Sequence, residues 1–484
     1  MVRSAAQWLH YWATVDPEAP AMVIAGRRIY SFGILAAQVA QMLERLSCLG
    51  VRAGDLVGIE CADQHLHLVT VLAGETLGAA TVSFSSDDVR RGDIVLDRCQ
   101  WLLSETAPKV KALAANRIAL NHRFAHDVFS LAVSETDIAG LSRSLDPAAT
   151  LRIERSSGTT GERKVLGQSL AMLVSFLDRR IELFQMGSRD RAIVCLYTMP
   201  TSLVYIDFFL SIRNGSAFCL VGIDAFDKVV DALAAFHVVV IQGQLPTLIA
   251  KYDRAFQYAA QRSLHVIGAE VPARMWAELK PKRFGWAFNG YGPSEVAGLS
   301  YSSMGAPYSL YDDSDCRIVD EDGRSVPLGT AGFIEVHTPR MIDGYLWNPT
   351  LTEKNFVDGW FRTYDWGMMP DARQVVILGR VDDMINIGGI KIGPGPYEQA
   401  LRALSGVKDA ILLGICDQNG IEQLHVVIES DTLDLNDGLA AQIRATVAGT
   451  CNDCWMHITR AMPRTETGKV RRGELKEHYG RPLH

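Results

Sequence analysis

Residues 156–164 read SSGTTGERK: two serines, two threonines and two glycines, closed by a lysine. Glycine lets backbone N–H groups turn toward an anion, hydroxyls donate hydrogen bonds, and lysine supplies a point charge. That is chemistry for phosphate. The spacing is not that of a Walker loop, because Gly158 and Gly161 are too close and Lys164 stands three residues past the second glycine. A solvated polar turn is the plain alternative. Four later stretches carry comparable groups: NGYGPSE (289–295), GWFRTYDWG (359–367), GRVDDMINIGGIKIGP (379–394) and PRTETGKVRR (463–472). Taken singly, Asp365 reads as a turn former and Lys469 as a surface lysine. Cys451 and Cys454 have CxxC spacing, but no second CxxC or nearby His-x-x-x-His completes a zinc set, so an incidental or structural role is expected.

In this order and with these gaps, the five stretches resemble the adenylate-forming superfamily of acyl- and aryl-CoA synthetases, peptide-synthetase adenylation domains and firefly luciferase. The resemblance runs from GRRIYSF (26–32) to the last helix. It implies a two-step reaction. A carboxylate oxygen is a poor leaving group, so the acid first attacks the α-phosphate of ATP, pyrophosphate departs, and an acyl-AMP remains for a thiol to attack. That displacement gathers anions, which cations and hydrogen-bond donors must stabilise.

By the resemblance, Ser156, Ser157, Gly158, Thr159, Thr160 and Gly161 hold the β- and γ-phosphates, with Lys164 following. Gly268, Ala269 and Glu270 form the turn against adenine, and Asn289, Gly290, Tyr291 and Gly292 continue the nucleotide site, Tyr291 stacking on the base. Ser294 hydrogen-bonds the α-phosphate and Glu295 ligates Mg²⁺, for which a carboxylate is a suitable hard ligand. Asp365 accepts both ribose hydroxyls, and Arg380 is a second ribose contact. Lys469 bridges the substrate carboxylate and the α-phosphate. Asp382 is the expected hinge, about which the last domain rotates to replace Lys469 with the Gly388–Gly389 turn. There, backbone without side chains admits the pantetheine of CoA or of a carrier protein.

This sequence departs from the family pattern at several points. Arg163 replaces proline, adding a second cation beside Lys164. Ser294 replaces threonine and keeps the hydroxyl. Tyr364 replaces the glycine before Asp365. Pro396 replaces a glutamate in a first helical turn, where proline is tolerated. Counting back from Gly215, the family's histidine or aromatic gate falls near Pro200, and the aspartate that pairs an amino acid's ammonium falls near Ser202. Asp207 lies five residues further on. An unpaired buried ammonium is costly, so the acid is expected to be aryl or medium acyl without an α-amino group. Pocket candidates are Met199, Ser202 and Tyr205, with Gly268 and Gly290.

The elements that must position these residues follow an α/β pattern. Hydrophobic residues make up 48% of the 484 and charged residues 21%, a globular composition too long for one core. AMVIAGRRIYSF (21–32) reads as a hairpin around Gly26. Ser31 then opens a helix with Leu35, Val39, Met42, Leu43 and Leu46 at helical spacing. Trp8, Leu9, Tyr11 and Trp12 read as one face of a short opening helix. Strands such as RAIVCLY, FHVVVIQG and SLHVIGA alternate with helix-length segments, which favours largely parallel sheets. From about 314 short strands joined by Gly, Pro and Asp turns suggest a β-rich subdomain. The expected division is an adenylation core at 1–379, a hinge at 380–383 and a mobile α+β lid at 384–484.

A net charge of −7 disfavours non-specific nucleic-acid binding. No apolar run reaches the roughly 18 residues of a bilayer span. Thinly spread cysteines, nine in all, fit reduced thiols and a cytoplasmic location. The leading expectation is an acid–thiol ligase, monomeric or homodimeric, using ATP and Mg²⁺ with CoA as acceptor. Loading of a phosphopantetheinyl carrier protein, or passage of the acyl group to an amine, is the near alternative. A non-catalytic nucleotide-binding regulator is the alternative of another class, against which Lys164, Glu295, Asp365, Arg380 and Lys469 together argue. A luciferase-like oxygenase has no sequence feature in its favour.

Overall fold

The computed structural model describes residues 3–480 apart from 25–27, 91, 106–115, 157–163, 184–185, 187–190, 197–201, 227–234, 242–243, 246–247, 250–261, 269, 272, 279–285, 304–306, 388–389, 418–420, 433–435, 449–453 and 465–469. Alternation of strand and helix produces the expected α/β architecture. In a six-stranded sheet the order is Asn116–Ala119, Trp101–Ser104, Leu56–Glu60, Ala80–Ser83, Thr150–Ser156 and Lys164–Ser169. Its last two strands are antiparallel, and Ser156 stands opposite Lys164.

A second, larger sheet has a parallel centre. Ala235–Ile241 lies between Arg191–Cys195 and Arg262–Ile267, and the last of these pairs with Trp286–Tyr291. Runs such as VVV at 238–240 suit strands covered on both faces. Beyond Trp286–Tyr291 the sheet turns antiparallel, through Ser300–Ser302, Tyr308–Leu310, Gln374–Arg380, Trp360–Asp371, Gly332–His337 and Asp315–Val319. The β-rich segment is therefore hydrogen-bonded continuously into the central sheet.

Local signals behave as the side-chain chemistry dictates. Ser31 caps the Phe32–Leu49 helix by accepting from the Ile34 amide, and Gly50 ends it at φ 104°, a left-handed conformation that suits glycine. Leu35, Val39, Met42, Leu43 and Leu46 are all buried. In the opening helix Ala5–Val15 one expectation is corrected. Trp8 and Leu9 are buried, but Tyr11 is 46% exposed, because a residue two positions on from Leu9 has turned toward the opposite face.

After Arg380 a short turn, Val381–Asp383, leads to a hairpin of Ile385–Ile387 and Ile390–Ile392. A three-stranded sheet follows: Asp409–Cys416 antiparallel to Glu422–Glu429, which pairs parallel with Trp455–Thr459. Helices Pro394–Arg402 and Asp437–Val447 contribute to a separate apolar cluster that includes Ile385, Leu401, Leu412, Val426 and Ile443. Among the described residues no helix is long and apolar enough to cross a membrane. Their cysteines are free thiols; Cys451 lies outside the described residues.

Candidate active site

Three distant segments converge on Lys164. It opens the return strand at the edge of the six-stranded sheet and is only 8% exposed. Its Nζ lies 3.9 Å from Glu295 Oε1, 3.2 Å from the ring centroid of Tyr364 and 5.6 Å from that of Tyr345. Burial pulls the Lys164 pKa down, opposed by the Glu295 charge. Tyr345 is brought here by an isolated bridge to Leu166 and donates its hydroxyl to Glu295 Oε1 at 2.8 Å. Nothing in its surrounding sequence, MIDGYLW, pointed to that contact.

Glu295 sits in a short turn, Ser294–Val296, beyond the end of the Trp286–Tyr291 strand. The loop is pinched at its neck. A Cβ on Gly292 would stand 2.5 Å from the Gly298 Cα, and Leu299 N donates to Tyr291 O at 3.0 Å. Gly298 has φ 94°, and a Cβ there would meet Phe176 at 3.3 Å and Tyr311 at 3.4 Å. Within the loop Glu295 is buried and Ser294 is exposed.

A second group is centred on Asp365. The Tyr291 hydroxyl donates to Asp365 Oδ2 at 2.7 Å, and Arg380 Nε lies 3.5 Å from Oδ1. Asp365 and Arg380 face each other in register on neighbouring strands. Burial and then the Asp365 charge push the Tyr291 phenol pKa up.

Asn289 is bound into the scaffold: its amide donates to Val266 O at 3.0 Å and accepts from Val271 N at 3.2 Å and the Tyr308 hydroxyl at 2.5 Å. These bonds tie the strand to the turn at Gly268, which has φ 93°. Glu270 accepts from Gln399 Nε2 at 3.3 Å, a contact between that turn and the helix Pro394–Arg402. Gly290 leaves room for His265, whose Nε2 would be 2.6 Å from a Cβ there.

The pocket candidates fare differently. Tyr205 is 0% exposed, with its hydroxyl given to Glu75 Oε2 at 2.9 Å and Arg152 lying 4.7 Å over its ring. Its whole side chain is core. Ser202 starts the helix Ser202–Asn214 and hydrogen-bonds Glu154, whose burial raises its pKa to about 7. Asp207 is fully buried and paired with Arg180 at 2.7 Å, so its charge is committed within the fold. Asp382 is exposed in the turn after Arg380. Ser156 ends its strand; Ser157, Gly158, Thr159, Thr160, Gly161, Met199, Ala269, Gly388, Gly389 and Lys469 lie outside the described residues. The segment holding Lys469 is flanked by an Arg464–Val470 bridge, with Arg464 paired to Asp409 at 2.8 Å and Glu429 at 2.9 Å.

Residues 9–346 match the family described as AMP-binding enzyme. The chain belongs to that family. It is 26% identical to a feruloyl-CoA synthase of Amycolatopsis sp. over 97% of each protein. Among solved structures it resembles ATP-bound MatB from Rhodopseudomonas palustris, at TM-score 0.85 and 19% identity over 98% of this chain and 99% of the other. It also resembles the O-succinylbenzoate coenzyme A synthetase MenE of Bacillus subtilis in complex with ATP and magnesium ion, at TM-score 0.82 and 19% identity over 97% and 99% of the two chains. These likenesses assign the fold. Within this AMP-binding enzyme, Lys164, Tyr291 and Glu295 lie inside the matched span, while Asp365 and Arg380 lie beyond it.

Proposed function

We propose that this AMP-binding enzyme activates an aryl or medium acyl acid with ATP, releasing pyrophosphate, and passes the acyl group to the thiol of CoA. The observation that carries the reading is the convergence of Lys164, Glu295 and the Tyr291–Asp365–Arg380 group from separate parts of the chain. Each group suits one part of a nucleotide. Lys164, which follows residues 157–163 and opens the strand Lys164–Ser169, meets the β- and γ-phosphates. The exposed Ser294 hydroxyl donates to the α-phosphate. Asp365 accepts the ribose hydroxyls beside Arg380, and Tyr291 provides a face for adenine.

The residues also fit a magnesium ion. Among the described residues no group of three or more metal-binding side chains occurs, and Mg²⁺ characteristically takes one or two carboxylates with substrate phosphates and water. Glu295 is a buried carboxylate beside a cation, and it suits the part of that protein ligand. When bound, the ion supplies charge stabilisation at the phosphates. The chain's own part is to hold Lys164 and Ser294 around the reacting phosphate and to bring Lys469 to the acid's carboxylate. Commitment of Asp207 to Arg180 supports an acid without an α-ammonium group.

The deciding experiment is a pyrophosphate-release screen over aromatic, aliphatic and amino acids, with adenylates trapped by hydroxylamine. Release with aryl or medium acyl acids, followed by thioester formation with CoA, is the expected result. Thioester formation only on a holo carrier protein would reassign the acceptor. No release with any acid would overturn the ligase reading. In the same assay Lys469→Ala is expected to abolish adenylate formation yet largely spare thioester formation from supplied acyl-AMP. Equal loss of both steps would sink the proposed exchange of Lys469 for the Gly388–Gly389 turn.

A further inference from the structure

Tyr364 immediately precedes Asp365, and its ring lies among the cations of the site. Lys164 Nζ is 3.2 Å from its centroid, and the Arg380 guanidinium carbon is 5.6 Å away. The hydroxyl of Tyr364 is in hydrogen-bond contact with Asn355 and Tyr345, and Tyr345 in turn donates to Glu295. Hydrogen bonds thus hold the phenol at its edge while one face meets the ammonium.

Lys164 consequently rests on one charge, Glu295, and on aromatic rings, Tyr364 near at 3.2 Å and Tyr345 farther at 5.6 Å, and charge and ring respond differently to a ligand. Glu295 offers a charge at 3.9 Å, but that charge is the one a metal ion would engage. The Tyr364 ring offers only its quadrupole, which attracts a cation within about 6 Å, more strongly when the cation is shielded from water. Lys164 is nearly buried. A lysine stem has much rotamer freedom to lose when it is fixed on a phosphate, and a group that fixes it beforehand reduces that part of the binding cost.

We propose that Tyr364 is a positioning residue for Lys164, its ring face holding the ammonium toward the phosphates while Glu295 turns to the metal ion. This inference rests on the nucleotide-site reading above and adds to it an aromatic rest for the lysine. The effect falls on ligands that carry β- and γ-phosphates.

The test compares the parent chain with Tyr364→Phe and Tyr364→Leu. MgATP and AMP affinities are measured by calorimetric titration, and KM values for ATP and for the best acid by pyrophosphate exchange. Tyr364→Phe keeps the face and loses the hydroxyl; its ATP affinity is expected within about twofold of the parent. Tyr364→Leu keeps bulk without the face; its MgATP Kd and KM rise about five- to tenfold. AMP affinity, the acid KM and kcat stay within about twofold. Unchanged MgATP affinity in Tyr364→Leu overturns the proposal. So does equal weakening of AMP and ATP, or a loss in Tyr364→Phe as large as in Tyr364→Leu. Failure of the parent to bind MgATP overturns the nucleotide reading together with this one. If Tyr364→Leu does not fold, Tyr364→Gln provides the same faceless comparison.

Discussion

Two clusters of charged and polar side chains in this protein differ in how they are closed. Around Lys164 the pairs are long: 3.9 Å to Glu295, and 3.5 Å between Arg380 and Asp365. Around Arg152 the contacts are hydrogen bonds to neighbouring side chains rather than ion pairs. Its Nη2 donates to Ser83 Oγ at 2.6 Å, Thr81 donates to Glu75 at 2.8 Å, and Tyr205 donates to Glu75 at 2.9 Å. In the first, Lys164, Tyr291 and Arg380 sit at strand ends, Glu295 in a turn and Asp365 inside the strand Trp360–Asp371. The second lies inside, joining the Gln64–Thr76 helix, the six-stranded sheet and the Ser202–Asn214 helix. Long ion pairs leave charge for a ligand, whereas an interior hydrogen-bonded cluster commits its polar groups to the fold.

Substitutions should separate the two groups. The largest effect is expected from Glu295→Gln, which removes the proposed metal ligand: adenylation should fall about a hundredfold or more, with the melting temperature nearly unchanged. A large loss of stability instead would place Glu295 with the structural group. Arg152→Ala should do the reverse. Truncation empties a fully buried site and leaves the Thr81 and Ser83 hydroxyls without their donor, a cost of about 2–5 kcal/mol, read as a lower urea midpoint, while the nucleotide affinity of the folded fraction persists. A destabilisation below about 1 kcal/mol would remove the distinction.

Tyr205→Phe deletes one donor to Glu75 and should cost about 1–3 kcal/mol in the same titration, without a change in the preferred acid. A shifted acid preference would return Tyr205 to the pocket. A further test concerns pH. Burial raises the Glu75 pKa from 4.5 to about 8, so between those values the folded state binds more protons than the unfolded one. Its stabilising contribution is complete below pH 4.5 and is lost as pH rises toward 8. Glu75→Gln should flatten that decline in a series of melting curves. An unchanged slope would assign the proton to another group.

This contrast also marks what could be read in the sequence. Lys164, Tyr291, Glu295, Asp365 and Arg380 stood in recognisable local strings, and the structure brings them together. The supporting contacts were illegible because they depend on tertiary pairing. Tyr345 reaches Glu295 through a bridge formed far from its own neighbours in sequence. Arg152 lies in LRIERS, where a charged residue in a strand reads as solvent-facing, yet it is 1% exposed. Tyr205 failed as a pocket candidate for a related reason. Counting residues placed it near the acid, but helical geometry turned its hydroxyl inward to Glu75. The α/β pattern was clearer, since strand runs and helix caps are local.

For redesign of acid preference, the Gly292–Gly298 neck divides one loop into fixed and variable ground. Any side chain at Gly292 collides with the opposite backbone, and Gly298 combines left-handed φ with aromatic neighbours. A combinatorial library should therefore hold those two codons constant. Diversity belongs elsewhere, beginning with Gly290, where the obstacle to a new Cβ is the tip of the His265 ring. Paired randomisation of 290 and 265 samples new shapes without moving the clasp on which Glu295 hangs.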